Sequence, residues 1–238
     1  TFDVEGIDAS HKLAILASLA FGVPLQLEKV YTEGITKIST DDVSYAEELG
    51  YRIKHLGVAR KTSQGVELRV HPTMIPEKRL IANVNGVMNA VLVKGDAVGP
   101  TLYYGPGAGA EPTASSVVAD IIDVARMLDT DPRHRVPLMG FQADALKNTP
   151  ILDIGEIETA YYLRMSALDK PGVLSSVAQV LSNAGISIEA IIQKEPLEGQ
   201  VHVPLIILTS RSIEHQLVSA IAEIEALDSI YGEIIRIR

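Results

Sequence analysis

The amino-acid sequence predicts an α+β protein in two parts: a mostly antiparallel sheet with helices, followed by a smaller βαββαβ unit. Three observations support this prediction. Apolar residues recur at helical spacing near both ends of the first part. Two hairpin patterns lie between these helices. After residue 158, helix and strand patterns alternate in the βαββαβ order.

The first helix is predicted from Ile7 to Phe21, because Gly22 suits its C-terminal cap and Pro24 follows. Both of its faces are rich in apolar residues, so we expect burial on most sides. Within this helix, Asp8 and Lys12 lie one turn apart. A structural interpretation is an i,i+4 ion pair, worth about a few tenths of a kcal/mol. A functional interpretation is a carboxylate that orients a polar substrate and a lysine that transfers a proton.

A short helix and two hairpins are predicted next. The stretch STDDVSYAEELG begins with residues that favour a helix N-cap and ends at a glycine. Strand patterns cover residues 52–60 and 66–71 around the turn TSQG, and a second hairpin turns at KGDAVG. Residues from about 52 to 104 are therefore predicted to form a mostly antiparallel sheet, with the first helix packed on it.

A glycine-rich stretch, GPGAGAEPTASSVVADI, leads into the last helix of the first part, with Pro112 in its first turn. Its glycines would let the backbone approach an anionic ligand at the free helix amides. An ordinary tight strand-to-helix turn is the alternative. The sequence then becomes linker-like, so we place the boundaries at 1–128 for the first region, 129–158 for a linker and 159–238 for the second region.

Residues 159–238 are predicted to form a ferredoxin-like unit. Its strands are AYYLRMSA, ISIEAIIQKE, VHVPLIILTS and SIYGEIIRIR, and its helices are GVLSSVAQVLSNAG and SIEHQLVSAIAEIEAL. The turn from Asp169 to Gly172 leads into the first of these helices, whose free amides would receive a carboxylate. A plain capped loop is the alternative at this turn.

Composition argues against several classes of protein. The 238 residues have a formal net charge of −9 and no lysine- or arginine-rich stripe, so nucleic acid is not an expected partner. Without cysteine, disulfides and thiolate metal sites are excluded, and no histidine pair has metal-binding spacing, so no metal site is predicted. No apolar run reaches membrane-spanning length and no signal peptide is visible, so we expect a cytoplasmic protein.

Several ordered motifs of the first part resemble homoserine dehydrogenase. They are EGIDASHKLAILASLAFG at 5–22, EGI at 33–35, HPTMIP at 71–76, NGVMNAV at 85–91 and GPGAGAEPTASSVVADI at 105–121. The resemblance implies that Lys12 is the proton donor or acceptor and that Asp8 helps to hold an amino acid substrate. It also implies that Gly109 contacts a nicotinamide cofactor, NAD or NADP.

Other parts of the family pattern have no counterpart in the chain. These are the nucleotide-binding half with its GxGxxG loop, a substrate-binding glutamate and the monovalent-cation site. We therefore expect a piece of a longer polypeptide that lacks turnover by itself, with the apolar stripe of the helix after Gly109 partly uncovered. His71 is interpreted as a hydrogen-bonded structural histidine and Glu33 as an exposed loop acid, and neither is assigned a catalytic role.

The DxPGVL…ISI pattern of the second part resembles an ACT domain, a small-ligand regulatory module that usually works in pairs. We expect residues from about 159 onward to form an autonomous module. The resemblance implies an amino acid effector, with threonine expected, at Asp169, Gly172, Val173, Leu174, Asn183 and Ile188. Where the family's second half often reads TH, this chain has Thr209 and Ser210, so the ligand is less determined than the module.

Together, these resemblances imply an NAD(P)-dependent enzyme that interconverts L-homoserine and L-aspartate 4-semialdehyde. The reaction lies on the route to threonine, methionine and isoleucine, and the enzyme is expected to be a homodimer or homotetramer regulated by an amino acid. The alternative, from another class, is a non-catalytic regulatory and dimerisation fragment that binds an amino acid. Nucleotide binding would discriminate between the two.

Overall fold

The computed structural model describes residues 1–131, 134–135, 137, 140–194 and 201–238, and it confirms the predicted α+β class. The helices are α1 (Ile7–Phe21), α2 (Thr40–Glu48), α3 (Ala110–Met127), α4 (Val173–Asn183) and α5 (Glu214–Glu225). The strands of the first part are β1 (Tyr31–Thr32), β2 (Tyr51–Lys61), β3 (Val66–Pro76), β4 (Met88–Gly95) and β5 (Gly99–Pro106). Those of the second part are β6 (Glu158–Thr159), β7 (Tyr162–Leu168), β8 (Ile188–Gln193), β9 (His202–Thr209), β10 (Ser212–Ile213) and β11 (Ile230–Ile237).

Some predicted segments extend beyond the described residues. Residues 132–133, 136 and 138–139 of the predicted linker lie outside them, as does Glu195 at the end of the predicted strand ISIEAIIQKE. Among the described residues, none of the helices combines the length and the apolar character that crossing a membrane requires.

The strands of the first part divide into two sheets, so the prediction of one sheet over residues 52–104 was wrong. β2 and β3 form a long antiparallel hairpin, with β1 parallel to β3 on its other side. β4 and β5 pair with each other in a separate antiparallel hairpin. The division follows from Pro76 at the end of β3 and from the 3₁₀ turn at Leu80–Asn83, which lead the chain away before β4 begins.

α1 packs one face on the β2–β3 hairpin and leaves the other face exposed. The buried contact joins apolar side chains of α1 with those of β3, namely Leu13, Ala14 and Ala17 with Val66, Leu68 and Val70. The expectation of burial on most sides was wrong, because the opposite face, Ile7, Ile15, Leu16 and Leu19, is between 38% and 48% exposed. No residue of α3 is buried, in agreement with the uncovered apolar stripe expected there.

The second part has the predicted βαββαβ order. Four of its six strands form an antiparallel sheet in the order β11-β7-β9-β8, with β8 at one edge, and β6 pairs separately with β10. α4 and α5 cover one face of this sheet around a core that includes Leu163, Met165, Val177, Leu181, Ile207, Leu217 and Ile224. This arrangement confirms the ferredoxin-like prediction.

The other face of this sheet packs against the first part of the chain. Tyr45 of α2 is buried with Tyr162, Ile206 and Ile237 of the sheet, and Met74 of β3 packs against the same cluster. The second part therefore shares a core with the first. The expectation of an autonomous module stays a prediction, and excision of the second part would expose this cluster to water.

A buried carboxylate fixes α2 to the sheet. Asp42 is fully buried in the capping box of α2, where it accepts hydrogen bonds from the Ser39 backbone N–H (2.9 Å) and Oγ (2.8 Å). It also accepts from Tyr162 Oη (2.9 Å) and from Arg164 Nε (2.5 Å) and Nη2 (3.0 Å). Burial alone would raise the pKa of Asp42, but these donors outweigh it and hold the pKa below its ordinary value.

We predict that Asp42→Asn lowers the free energy of unfolding by about 3 kcal/mol, because it leaves the part-buried Arg164 without its counter-charge. Because the folded-state pKa of Asp42 is depressed, its stabilisation is present above the unfolded pKa and is lost as pH falls below about 3.8. Urea titrations at neutral and acid pH measure both effects. The control is Asp41→Asn, at an exposed acid in the same turn. Equal stability of the two variants at neutral pH would contradict the prediction.

Candidate functional site

α1 begins at a glycine that the local backbone requires. Gly6 is the buried N-cap, with φ of 77° in the left-handed region. A Cβ built there would lie 2.9 Å from the His55 ring and 3.0 Å from Val70. Both the backbone conformation and the lack of space therefore favour glycine. This glycine, the first residue of the GxDxxxK motif, fixes where the helix carrying Asp8 and Lys12 begins.

The structure brings Asp8 and Lys12 together as an ion pair on the surface of α1. Lys12 Nζ lies 2.5 Å from Asp8 Oδ2, and the two side chains are 66% and 38% exposed respectively. An exposed pair of this kind contributes at most about 1 kcal/mol, because solvent screens the attraction. Asp8 also lies in the first helical turn, where the helix dipole favours a negative charge. Both charged groups are accessible to a polar ligand.

The EGI loop at residues 33–35 lies against the chain that leads into α1. The Ile35 N–H donates to the Val4 carbonyl at 2.9 Å. A Cβ on Gly34 would lie 2.5 Å from Glu5 Oε2 and 2.8 Å from the Val4 carbonyl. Two motifs that are separated in the sequence are thus adjacent in space, and glycine permits the close approach.

Glu33 is half-buried and ion-paired, so its interpretation as an exposed loop acid was wrong. Its Oε2 accepts a hydrogen bond from Tyr31 Oη at 2.8 Å and from Arg238 Nη1 at 2.6 Å. Burial opposes its ionisation, but the Arg238 charge and these two hydrogen bonds hold the pKa of Glu33 below its ordinary value. Sequence reasoning missed Arg238 as well; the alternation of arginine with isoleucine in IIRIR was the available signal of a polar side chain on an apolar strand.

His71 is a structural histidine, as predicted. It is fully buried, with Nδ1 2.8 Å from the Pro72 carbonyl and Nε2 2.7 Å from Arg69 Nη1. Burial, reinforced by the charges of Arg238 and Arg69, lowers the pKa of His71 to about 3. The ring is therefore neutral near pH 7.

Gly109 is the N-cap of α3, with φ of 130°, on an exposed turn. Its carbonyl accepts the Thr113 N–H at 3.1 Å, which begins the helix. Gly109 has no side chain and lies at the exposed amino end of α3, so a nicotinamide cofactor could approach this turn closely. Within the described residues, no hydrogen bond or ion pair joins Gly109 to Asp8 or Lys12.

The six residues of the predicted effector site divide between the two ends of α4. Asp169 and the N-cap Gly172 lie before the helix, and Val173 and Leu174 begin it. A Cβ on Gly172 would meet nothing within 4 Å, so this turn is open. Asn183 ends the helix and Ile188 begins β8 beside a surface cavity lined by Ala178, Ser182, Gly185, Ile186 and Ser187. The 11-residue helix is roughly 16 Å long, so a single amino acid cannot contact both groups within one copy.

No cluster of histidine, aspartate and glutamate side chains suited to a metal ion occurs in the part of the chain that the structure describes.

Comparisons with known proteins agree with the motifs. The homoserine dehydrogenase family model matches residues 1–122, and the ACT domain model matches residues 161–228. Over the whole chain, the homoserine dehydrogenase of Pseudomonas aeruginosa is 64% identical and that of Neisseria gonorrhoeae 55% identical, and the chain covers 55% and 54% of their lengths.

Solved structures give the same result. The homoserine dehydrogenase of Thiobacillus denitrificans is 59% identical over the whole chain, with a TM-score of 0.94, and 54% of it is covered. The S. aureus homoserine dehydrogenase, in its crystal structure at pH 8.5, is 25% identical over the whole chain, with a TM-score of 0.68, and 54% of it is covered. The chain therefore spans about half the length of the relatives that it matches.

We predict that Gly6→Ala destabilises the protein by roughly 3 kcal/mol, because it combines left-handed backbone strain with overpacking against His55. Gly50→Ala is a matched control, since Gly50 has φ of 78° and open space around its Cβ position. This control should cost only about 1 kcal/mol. Thermal and urea unfolding of both variants measure the difference. Equal losses would show that the contact with His55 does not restrict the start of α1.

Proposed function

Because the chain belongs to the homoserine dehydrogenase family and carries an ACT domain, we propose that it is the substrate-binding and regulatory part of an NAD(P)-dependent enzyme. The enzyme interconverts L-homoserine and L-aspartate 4-semialdehyde in the cytoplasm, on the route to threonine, methionine and isoleucine. The single observation that carries the proposal is the accessible Asp8–Lys12 pair at the start of α1.

Lys12 acts as the proton donor in the reductive direction. Its ammonium group protonates the aldehyde oxygen, and in the oxidative direction the amine accepts the proton of the hydroxyl. Asp8 binds the ammonium group of the amino acid substrate and orients Lys12 through the 2.5 Å ion pair. A nicotinamide cofactor supplies or takes up the hydride when it is bound.

We assign the cofactor contact in this chain to Gly109, and most of the binding of NAD or NADP to a domain outside it. Three observations support this assignment. The chain spans about half the length of its relatives. The glycine run at residues 105–109 is not followed by the second βα unit and ribose-binding acid of a full dinucleotide site. The exposed apolar faces of α1 and α3 offer surfaces on which further structure would pack. We therefore expect the chain by itself to lack turnover.

The ACT domain binds an amino acid, which we propose to be threonine, and works in pairs. The division of the six residues between the two ends of α4 supports pairing, because one copy can supply the Gly172 turn and a second copy the Asn183 end. Strand β8 lies at a sheet edge, which a second copy would cover. The enzyme is accordingly a homodimer or homotetramer. Threonine would regulate it by binding one arrangement of the subunits more tightly than another.

The first test concerns Lys12 in the complete enzyme. Lys12→Ala should lower the turnover number by about two to four orders of magnitude, the usual effect of losing a positioned proton donor. The melting temperature should change little, because the side chain is exposed. Steady-state kinetics in both directions and a thermal melt measure the two quantities.

Lys29→Ala is the control for this test, since Lys29 is also exposed and its partner is the neutral Gln26. Its turnover should stay near that of the unchanged enzyme. Near-normal turnover of Lys12→Ala would assign the Asp8–Lys12 pair to structure and would favour the alternative in which this chain is a non-catalytic regulatory and dimerisation part.

The second test concerns the effector. Titrating the 238-residue chain with threonine in a calorimeter should give a binding signal, and light scattering should give the mass of at least two copies. Gly172→Val should abolish the signal, because a side chain there crowds the amides that receive the carboxylate and strains a backbone with φ of 94°.

Gly232→Val is the matched control, with φ of 76° and equally open space, but on β11 and outside the six predicted effector residues. It should bind threonine. A monomer that gives no heat with threonine, methionine, isoleucine or serine would contradict the regulatory proposal. Heat with methionine alone would keep the module and change the ligand.

A further inference from the structure

The guanidinium of Arg238 joins the two parts of the chain. Its side chain is 1% exposed and directly follows β11. Nη1 lies 2.6 Å from Glu33 Oε2 in the first part, while Nε lies 2.9 Å from Glu214 Oε2 and Nη2 lies 2.5 Å from Glu214 Oε1 in the second part. The buried guanidinium thus binds one carboxylate from each part of the chain, Glu33 and Glu214, and it fixes the distance between them.

Glu33 is held at its backbone as well as at its carboxylate. Its N–H donates to the Val70 carbonyl at 2.8 Å, and its carbonyl lies 2.9 Å from His55 Nε2. The His55 ring is the one that would meet a Cβ on Gly6. Glu33 therefore lies between Arg238 and the residues that determine where α1 begins.

The two residues after Glu33 complete the connection to α1. Gly34 packs on Glu5 and Val4, and the Ile35 N–H donates to the Val4 carbonyl. The next turn is α1, in which Asp8 is the second residue. A displacement of the EGI loop would therefore move the chain that leads into α1, since the two segments are in direct contact and share a backbone hydrogen bond.

We propose that Glu33 is a positioning residue: held by Arg238 of the ACT part, it fixes through the EGI loop the first turn of α1, which carries Asp8, the ion-pair partner of Lys12. The importance of that turn for a substrate rests on the proposed function. The connection from Arg238 through Glu33 to α1 depends only on contacts between the described residues. A second ion pair, Lys37–Glu233, joins the same loop region to β11, but its side chains are 64% and 63% exposed, so it holds the parts together only weakly.

Hydrogen–deuterium exchange of the 238-residue chain tests the connection without any assay of activity. Glu33→Gln keeps the shape of the side chain and removes its charge. It should raise the exchange rates of Ile35 and of residues 5–10 by about tenfold, while those of α4 and α5 stay within about twofold. Lys37→Ala is the matched control at the exposed pair and should leave all of these rates within about twofold.

Other outcomes of the exchange experiment are decisive too. Unchanged rates at residues 5–10 in Glu33→Gln would overturn the proposal. Glu33→Ala, which removes the whole link, should give a larger but equally confined increase. An equal acceleration at α1, α4 and α5 in both variants would show a general structural role and would also overturn it.

In the complete enzyme, Glu33→Gln should raise the KM for the amino acid substrate by about tenfold with a smaller change in kcat, because a displaced first turn weakens binding. Glu33→Asp, which keeps the charge, should recover part of the loss. Altered exchange with an unchanged KM would limit Glu33 to a structural role and overturn the positioning proposal. The Lys12→Ala result tests the proposed function separately.

Discussion

A buried cation, the guanidinium of Arg238, links the two parts of this structure. A buried charge costs several kcal/mol unless it is paired and hydrogen-bonded, and here Glu33 and Glu214 provide that compensation from opposite sides. Glu214 is itself held by Tyr161 and Arg236. The pairing can persist only while the ACT sheet lies against the first part, and the cluster around Tyr45 and Tyr162 keeps it there.

The polar face of β3 is buried as well. Glu67, Arg69 and His71 alternate with apolar residues, a pattern typical of a strand with one face in water, yet all three are buried. The three side chains bind one another, and Arg60 extends the group. β3 thus carries a hydrogen-bonded and ion-paired polar layer, rather than an apolar one, on this buried face.

The sequence could predict features that depend on residues close together in the chain, but it could not predict features that depend on distant partners. The bounds of α1 matched because they depend on Gly6 and Gly22, and the βαββαβ order matched because hydrophobic periodicity is local. The adjacency of Asp8 and Lys12 follows from helical spacing alone. The burial of Glu33 could not be predicted in this way, because its partner Arg238 lies 205 positions further along the chain. The roles of Gly109 and of the six effector residues depend on ligands and stay predictions.

Asp42 belongs to the capping box of α2 and also binds Arg164 of β7, and this affects how the chain folds during synthesis. α2 has only nine residues, which is too short to be stable as an isolated helix. The carboxylate in its capping box, that of Asp42, binds Arg164, which lies 122 positions further along the chain. When α2 emerges from the ribosome, the β-strand that will stabilise it has not been made. The segment should therefore stay in helix–coil exchange until β7 is translated, so that the first part matures only after synthesis of the ACT domain has begun.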